Sequence, residues 1–291
     1  MFKNYLIELW YFFCKYVLVL LTDKIFYNFI FFIHCFRLKK KWYKLDFKSP
    51  NTFTEKINYL KLYERNALAP IVADKVLVRD YVKTTIGDKY LIPNIGIFSN
   101  ANDIDLNYLP NKFIIKANHG SQWNLICKDK TKINWNQAVN KLNNWLGKNA
   151  YHLSREWQYK SIKPRLLCEK LLSENLTDYK VFCYDGVPKF IQVDTDRFSN
   201  HQRSIFTTKW HETNFQIRYS KISHSIIKPK KLDEILNLSK ALSEKFKFCR
   251  VDFYYVNNRI YFGELTNHPG GGIEPFLNYE QDLEFGKFIN I

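Results

Sequence analysis

The chain has 291 residues, 46% hydrophobic and 17% aromatic, with 44 basic against 28 acidic side chains for a formal charge of +16. A chain this long and apolar buries roughly 70–75% of its unfolded surface, which excludes disorder as its main state, and only ten glycines exclude collagen-like and linker-rich designs. The positive excess favours anionic partners, yet zinc-finger, RRM-type and basic-zipper patterns are missing, so no nucleic-acid partner is expected. The six cysteines form no CxxC pair. Cys127, Cys168, Cys183 and Cys249 lie in apolar runs and read as buried thiols in a reducing, cytoplasmic compartment.

Residues 1–48 carry nine basic and three acidic groups. Within residues 1–36, 27 are apolar or aromatic, but Glu8, Lys15, Asp23 and Lys24 interrupt the run. On a helical wheel Asn4, Glu8, Tyr11, Lys15 and Thr22 form one polar stripe, and the rest of the surface is Leu, Ile, Phe, Trp and Val. A helix of this kind lies in a bilayer interface or packs on its own domain. Charges at mid-bilayer cost about 2.5–3.5 kcal/mol each, which argues against a spanning helix. No small-x-small cleavage site follows, so a signal peptide is not expected. RLKKKWYK at 37–44 suits acidic headgroups. The reading therefore favours a peripheral position at the inner face of the cell membrane, with an anionic membrane surface as partner, over packing alone.

Thr52 and Glu55 fit a capping box that opens a helix with Phe53, Ile57 and Leu60 inward. A second helix runs from Pro70 and stops before Gly87. YLIPNIGIF, NKFIIKANHG and NLICK read as strands, WNQAVNKLNNWLG as a helix, and RLLCEKLL as a buried strand. DYKVFCY and KFIQV flank Asp185-Gly186 as a hairpin, and KLDEILNLSKALSEKF is an amphipathic helix before RVDFYYV and IYFGELT. The mixture predicts an α+β protein with mainly antiparallel sheets.

RVDFYYVNNRIYFGELTNHPGGG carries the most chemistry. A three-residue turn at Asn257, Asn258 and Arg259 pairs Val256 with Ile260 and sets Asp252 opposite Glu264. Arg250, Asp252, Tyr254, Phe262, Glu264 and Thr266 then share one face, while Val251, Phe253, Tyr255, Tyr261, Gly263 and Leu265 form the core face. A two-residue turn would push Glu264 into the core, which is expensive. Two adjacent carboxylates call for a cation between them, and hard Mg²⁺ takes one or two carboxylates plus phosphate oxygens. Upstream, Lys116 ends a strand before a loop with His119, Gly120 and Ser121, a place where lysine and loop N–H groups can hold phosphate. His119 itself reads as a hydrogen-bonding residue rather than a metal ligand. Arg197, Asn200, His201 and Arg203, in a polar segment after a strand, are candidate acceptor contacts.

In order, NTFTEKINYLKLYERN, ADKVLVRDYVKTTIGDKYLIP, IIKANHGSQWN, DYKVFCYDGVPKFIQVD and RVDFYYVNNRIYFGELT resemble the TupA-like branch of the ATP-grasp superfamily, named for teichuronopeptide biosynthesis. The resemblance runs from about Pro50 to Asp282. It implies two α+β subdomains whose antiparallel sheets clamp ATP. The chain then divides into an N-terminal helical, membrane-associating segment (1–48), a helical region (49–110), a lid subdomain (111–172) and a catalytic subdomain (173–291). By the same resemblance, Lys75 and Lys116 contact ATP, and the loop with His119, Gly120 and Ser121 closes over its phosphates. Glu169, Lys170, Leu171 and Leu172 form the strand that reads adenine, and Asp178, or Lys180 nearby, meets the ribose side. Asp252 and Glu264 bind Mg²⁺ with Arg250 beside them. The family's last metal motif is Glu-x-Asn; here Glu264-Leu265-Thr266-Asn267 displaces the asparagine by one, so Thr266 or Asn267 serves.

The implied activity is an ATP-dependent carboxylate–amine ligase with an acylphosphate intermediate. Its partners would be an acidic glycan or lipid-linked saccharide and an amino compound, in the biosynthesis of a capsule, a teichuronopeptide-like polymer or O-antigen. The main rival is a surface-polysaccharide glycosyltransferase, because the strand FIQV runs into Asp194-Thr195-Asp196, a DxD tripeptide that can hold a metal and a sugar diphosphate.

Overall fold

The computed structural model describes residues 2–173, 176–195 and 200–291. Helices α1 (Phe2–Tyr16), α2 (Asp23–Arg37), α3 (Phe53–Tyr63), α4 (Ala69–Ala73) and α5 (Val78–Thr85) come first. Strands β1 (Asn94–Phe98), β2 (Phe113–Ala117) and β3 (Asn124–Cys127) follow, then α6 (Trp135–Leu146), α7 (Tyr151–Ser154) and β4 (Leu166–Lys170). The second half holds β5 (Asp178–Tyr184), β6 (Val187–Thr195), β7 (Gln202–Thr207), α8 (Leu232–Ser243), β8 (Phe248–Val256), β9 (Arg259–Thr266) and α9 (Tyr279–Gly286).

Local chemistry explains most boundaries. The Thr52 hydroxyl accepts the Glu55 N–H while the Glu55 carboxylate accepts the Thr52 N–H, the reciprocal box expected from the sequence. The helix expected from Pro70 to Gly87 is instead two. Asp74 separates them, its carboxylate accepting the N–H groups of Val76 and Leu77 at 2.8 and 3.3 Å, a local alternative to helical bonding. The segment read as a polar loop after β6 contains a further strand, β7, whose Arg203 and Ser204 pair with Asp194 and Val193.

The strands form two antiparallel sheets, as expected, in the orders β1-β4-β2-β3 and β7-β6-β5-β8-β9. The first packs on α6 through Phe113, Ile115, Leu142 and Trp145. One face of the second sheet, with Tyr179, Val181, Cys249 and Val251, packs on α5 and α8. Its other face is divided along its length. Phe182, Tyr184 and Phe248 meet α3 and α9 around Phe53, whose ring lies 5.1 Å from Phe285 and 5.3 Å from Phe248. Two residues further along the same strands, the pleat points Lys180 and Arg250 into an open cleft instead. All six cysteines are buried free thiols.

Candidate active site

The structure sets Asp252 opposite Glu264 by a route the sequence did not suggest. The β8–β9 turn has two residues, not three: Val256 pairs with Arg259, and Asn257 and Asn258 both take positive φ, 49° and 60°. Asparagine tolerates that conformation, and a two-residue turn with both φ positive matches strand twist. A bulge between Asp252 and Phe253 then leaves Gly263 as the extra residue and restores the pairing of Asp252 with Glu264. A Cβ at Gly263 would sit 3.0 Å from the Asp252 carbonyl oxygen, so the bulge has room only for glycine's missing side chain. The correction reaches the outer half of the hairpin. Phe262 pairs with Phe253 and joins the core, while Tyr261 pairs with Tyr254.

The cation between the two carboxylates is, in the first instance, a guanidinium. Arg250 Nε donates to Asp252 Oδ1 at 2.7 Å, and Arg250 NH2 reaches Asp252 Oδ2 at 2.8 Å, Glu264 Oε1 at 3.1 Å and the Thr266 hydroxyl at 3.4 Å. Lys180 Nζ donates to Asp252 Oδ2 at 2.6 Å. Burial works against the Lys180 ammonium, but Asp252 and Asp178 together hold its pKa above the ordinary lysine value.

Lys180, Arg250, Glu264 and Thr266 form one wall of a cleft of about 350 Å³, within the size range of small-molecule sites, and Asp252 lies buried behind them, outside the lining. The opposite wall comes from the first sheet. Lys116 at the end of β2 donates to Glu169 Oε2 at 2.7 Å, and Arg79 of α5 donates to Glu169 Oε1 at 2.8 Å. Lys75, between α4 and α5, donates to the Gly120 carbonyl. Burial depresses its pKa, with the Glu264 charge pulling the other way. Gly120, Ser121, Gln122 and Trp123 roof this end. A Cβ on Gly120 would overlap the Trp123 ring, so a side chain there would displace the indole that folds over the loop.

Several expected residues lie elsewhere. His119 is buried beneath the loop, with Nε2 at 3.1 Å and 3.0 Å from the carbonyls of Trp145 and Lys148 and Nδ1 at 3.0 Å from Asn118; it anchors the loop and does not line the cleft. Lys170, Leu171 and Leu172 are also outside the lining, Lys170 being exposed, whereas Glu169 enters the cleft through its side chain. Asp178 is buried in the sheet, 3.4 Å from Lys180, and supports that ammonium from behind. Asp196 and Arg197 lie outside the described residues.

The oxygen donors fit magnesium. Glu264 keeps 44% of its side chain exposed, the Thr266 hydroxyl donates to it at 3.2 Å, and the side-chain carbonyl of Asn267 is buried with no hydrogen-bond partner. An orphaned amide oxygen is the kind of acceptor a hard cation satisfies, but Asn267 does not line the cleft, which leaves Thr266 as the residue beside Glu264 there. Among the described residues no group of three or more His, Cys, Asp or Glu is placed to hold a metal, so phosphate oxygens would have to complete the shell.

The far end of the cleft is built around Asp194, Arg203 and Glu274. Arg203 Nε donates to Asp194 Oδ1 at 2.7 Å and Arg203 NH1 to Glu274 Oε2 at 3.0 Å; Arg218 NH1 donates to Glu274 Oε1 at 3.0 Å. His201 Nε2 lies 3.2 Å from Asp194, and its ring stacks on Tyr219 at 3.7 Å. Arg203 and Arg218 sit over that tyrosine at 4.9 and 5.0 Å. Burial opposes ionisation of Asp194, but Arg203, His201 and Lys180 outweigh it and hold the carboxyl well below its usual range. Asp194 is thus saturated by protein cations. The sequence did not single out Arg79, Arg218, Tyr219 or Glu274. Arg218 and Tyr219 are neighbours in QIRYSK, while Glu274 lies two residues past the Gly270–Gly272 run.

Next to them, Gly270, Gly271 and Gly272 all have positive φ, 57°, 68° and 75°. Asn58 and Lys61 of α3 donate to the carbonyls of Gly272 and Gly271, the latter at 2.6 Å, so the run is a turn clamped from below whose first two residues line the cleft.

Two α+β sheet layers closing on a lysine- and arginine-lined cleft, with a carboxylate pair on the last hairpin, define an ATP-grasp fold. The family described as TupA-like ATPgrasp matches residues 55–290, and the chain belongs to it. Similar solved structures include a D-alanine–D-alanine ligase from Bacillus anthracis complexed with ATP (14% identity, TM-score 0.43, 76% of this chain and 65% of that one). Others are D-alanyl-alanine synthetase A from Vibrio cholerae (11%, 0.44, 80% and 62%) and an L-amino acid ligase from Bacillus licheniformis (12%, 0.46, 75% and 49%). The chain spans less than two thirds of the length of each of these three. No curated protein sequence gives a significant match.

Proposed function

We propose that this chain is an ATP-dependent carboxylate–amine ligase that modifies an acidic cell-surface glycan, with ATP as co-substrate and Mg²⁺ as its metal. The observation that carries the reading is the meeting, in one cleft, of Lys75 and Lys116 from the lid side with Lys180, Arg250 and Glu264 from the sheet below. At the other end of that cleft two arginines are held ready for an anionic acceptor. Glu264 with Thr266, joined by Asp252 once Arg250 or Lys180 yields an oxygen, would hold the magnesium, which when bound neutralises phosphate charge.

The residues then divide the work. A carboxylate of the acceptor lies toward Arg203 and Arg218, and one of its oxygens attacks the γ-phosphorus of ATP as the bond to the β–γ bridging oxygen breaks and ADP leaves. Lys116 and Lys75 shift from Glu169 and the Gly120 carbonyl onto the phosphoryl oxygens, and Arg250 covers the developing charge from below. An amine attacks the carbonyl carbon of the acylphosphate, inorganic phosphate departs, and the amine proton passes to a base. His268 lines the cleft, with Nδ1 3.6 Å from Glu156 and 3.1 Å from Gln158, and can take that proton. The roof of 120–123 keeps water from the acylphosphate meanwhile.

The test supplies purified protein with Mg-ATP, uronic-acid glycans and a panel of amino compounds, with hydroxylamine as a trap. ADP release dependent on the glycan and a hydroxamate on its carboxyl are expected. Turnover of a UDP-sugar without ATP, or ATP bound with no ADP released against any acceptor, would overturn the proposal.

A further inference from the structure

Helix α1 has its polarity inverted, whereas α2 buries an apolar face of Phe26, Tyr27, Ile30, Phe31 and Cys35 and leaves further apolar side chains outside. In a helix on a water-facing surface the apolar stripe packs inward. In α1 the polar stripe does so: Lys148 Nζ donates to Glu8 at 2.6 and 2.7 Å, and the Tyr11 hydroxyl accepts the Asn149 N–H at 2.9 Å. Cys14 and Leu18 complete the inner side. What faces outward is Leu6, Leu9, Phe12, Tyr16 and Leu20, exposed by 46% to 84%. α2 extends the surface with Ile25, Phe32 and Phe36, the last 76% exposed, and Trp42 follows. Exposed large apolar side chains in this number mark a partner or a membrane.

Charge decides between them. Arg37, Lys39, Lys41 and Lys44 are all exposed and alternate with Phe36 and Trp42 at the end of α2. Beside them a groove of about 880 Å³, lined by Ile25, Phe29, Phe32 and Trp42, is edged by Lys24, Lys44 and Lys48. Apolar side chains bordered by lysines, with tryptophan and tyrosine between, match the depth profile of an anionic lipid interface. At 1.5 Å per residue each 15-residue helix is about 22 Å long, short of the ~30 Å hydrocarbon layer. Among the described residues no helix is long and apolar enough to cross a membrane.

We propose that α1, α2 and residues 37–48 form an in-plane docking surface for an anionic lipid bilayer. The inner side of α2 gives this docking a use. His34 lines the same cleft as Arg218 and Glu274, so the acceptor end opens one helix diameter, about 10 Å, from the docked face. A lipid-linked saccharide would reach it without leaving the bilayer. That consequence rests on the ligase reading; the docking does not.

The experiment floats the full chain with vesicles of phosphatidylcholine alone and of phosphatidylcholine mixed with phosphatidylglycerol. Flotation with the anionic vesicles only, declining as salt is raised, is expected. The triple variant Arg37→Glu, Lys41→Glu, Lys44→Glu should weaken binding at least tenfold, and Leu20→Asp with Phe36→Asp should abolish it at any salt. These side chains face solvent, so the melting temperature and ADP release with a soluble acceptor should stay unchanged, which separates this result from the ligase test. Absence of flotation with either vesicle, equal flotation with both, or a stable dimer that Leu20→Asp with Phe36→Asp dissociates would overturn the proposal.

Discussion

The two ends of the cleft hold their charges in different ways. At the end roofed by Gly120, two lysines from the lid side each rest on a single partner, Lys116 on Glu169 and Lys75 on the Gly120 carbonyl. At the other end, arginines are fixed from two sides, by carboxylates and by the Tyr219 ring. A lysine is a compact charge on a flexible stem and moves readily from one oxygen to another; a guanidinium fork clamped by planar partners does not. On the proposed ligase reading, the first end would hand cations to an incoming phosphate and the second would present a fixed pattern to an acceptor. Arg250, clamped by Asp252 and reaching Glu264, joins the two.

The largest expected effect comes from breaking that junction. Asp252→Ala leaves Lys180 and Arg250 buried beside a lost carboxylate, a defect of about 3–5 kcal/mol. It should lower the melting temperature as well as abolish turnover. Glu264→Gln separates chemistry from stability because this side chain is part-exposed. It should keep the melting temperature and lower kcat by about 10²–10³, the effect of losing one charge-stabilising contact at the reacting centre. Both are read by thermal unfolding and ADP release. An unchanged kcat in Glu264→Gln would remove the carboxylate pair from the mechanism.

Next in size is the contrast itself. Lys116→Met should lower kcat by about 10²-fold, because its charge is needed only as phosphoryl transfer proceeds. Arg218→Lys should instead raise KM for the acceptor by about 10- to 100-fold and leave ATP affinity alone, since a lysine cannot reproduce a fork whose hydrogen bonds to charge are worth about 1.5–3 kcal/mol. Steady-state kinetics with each substrate varied in turn distinguishes the two. If both variants shift the same constant, the two ends do not differ in role.

How far the sequence reveals this site depends on the range of the forces involved. The Thr52–Glu55 box and the Asp185-Gly186 hairpin are legible because local bonding decides them. The β8–β9 hairpin is instructive because its facing pattern was read correctly at Asp252 and Glu264 from a wrong turn. The alternation of apolar and polar residues requires only that Glu264 stay out of the core. It could not tell a three-residue turn from a two-residue turn corrected by a bulge at Gly263. The resemblance puts Asp178 on the ribose side; in the structure it shares the Lys180 face of β5 but is buried, 3.4 Å from that ammonium. Arg218 and Glu274 are 56 residues apart, and no periodicity brings them to Arg203; only the fold does.

A third kind of buried cation has no carboxylate in contact with it among the described residues. Lys61 lies under the Gly270–Gly272 turn, with Nζ on the Gly271 carbonyl and 3.7 Å from the centre of the Tyr27 ring. Burial pushes its pKa down from 10.5 to about 7, against an upward pull from Glu156 and Asp23. Between those two values the unfolded chain holds a proton that the folded chain releases, so stability rises with pH. The contribution is fully present above pH 10.5 and is lost as pH falls through about 7. Lys61→Met keeps the length and removes the titration. Melting temperatures of the two proteins followed from pH 7 to 10.5 should diverge steadily in favour of the parent, the tyrosines cancelling in the difference. A constant difference would mean that Lys61 titrates as an ordinary lysine, its charge held by the carbonyl and ring contacts as the carboxylates hold that of Lys180.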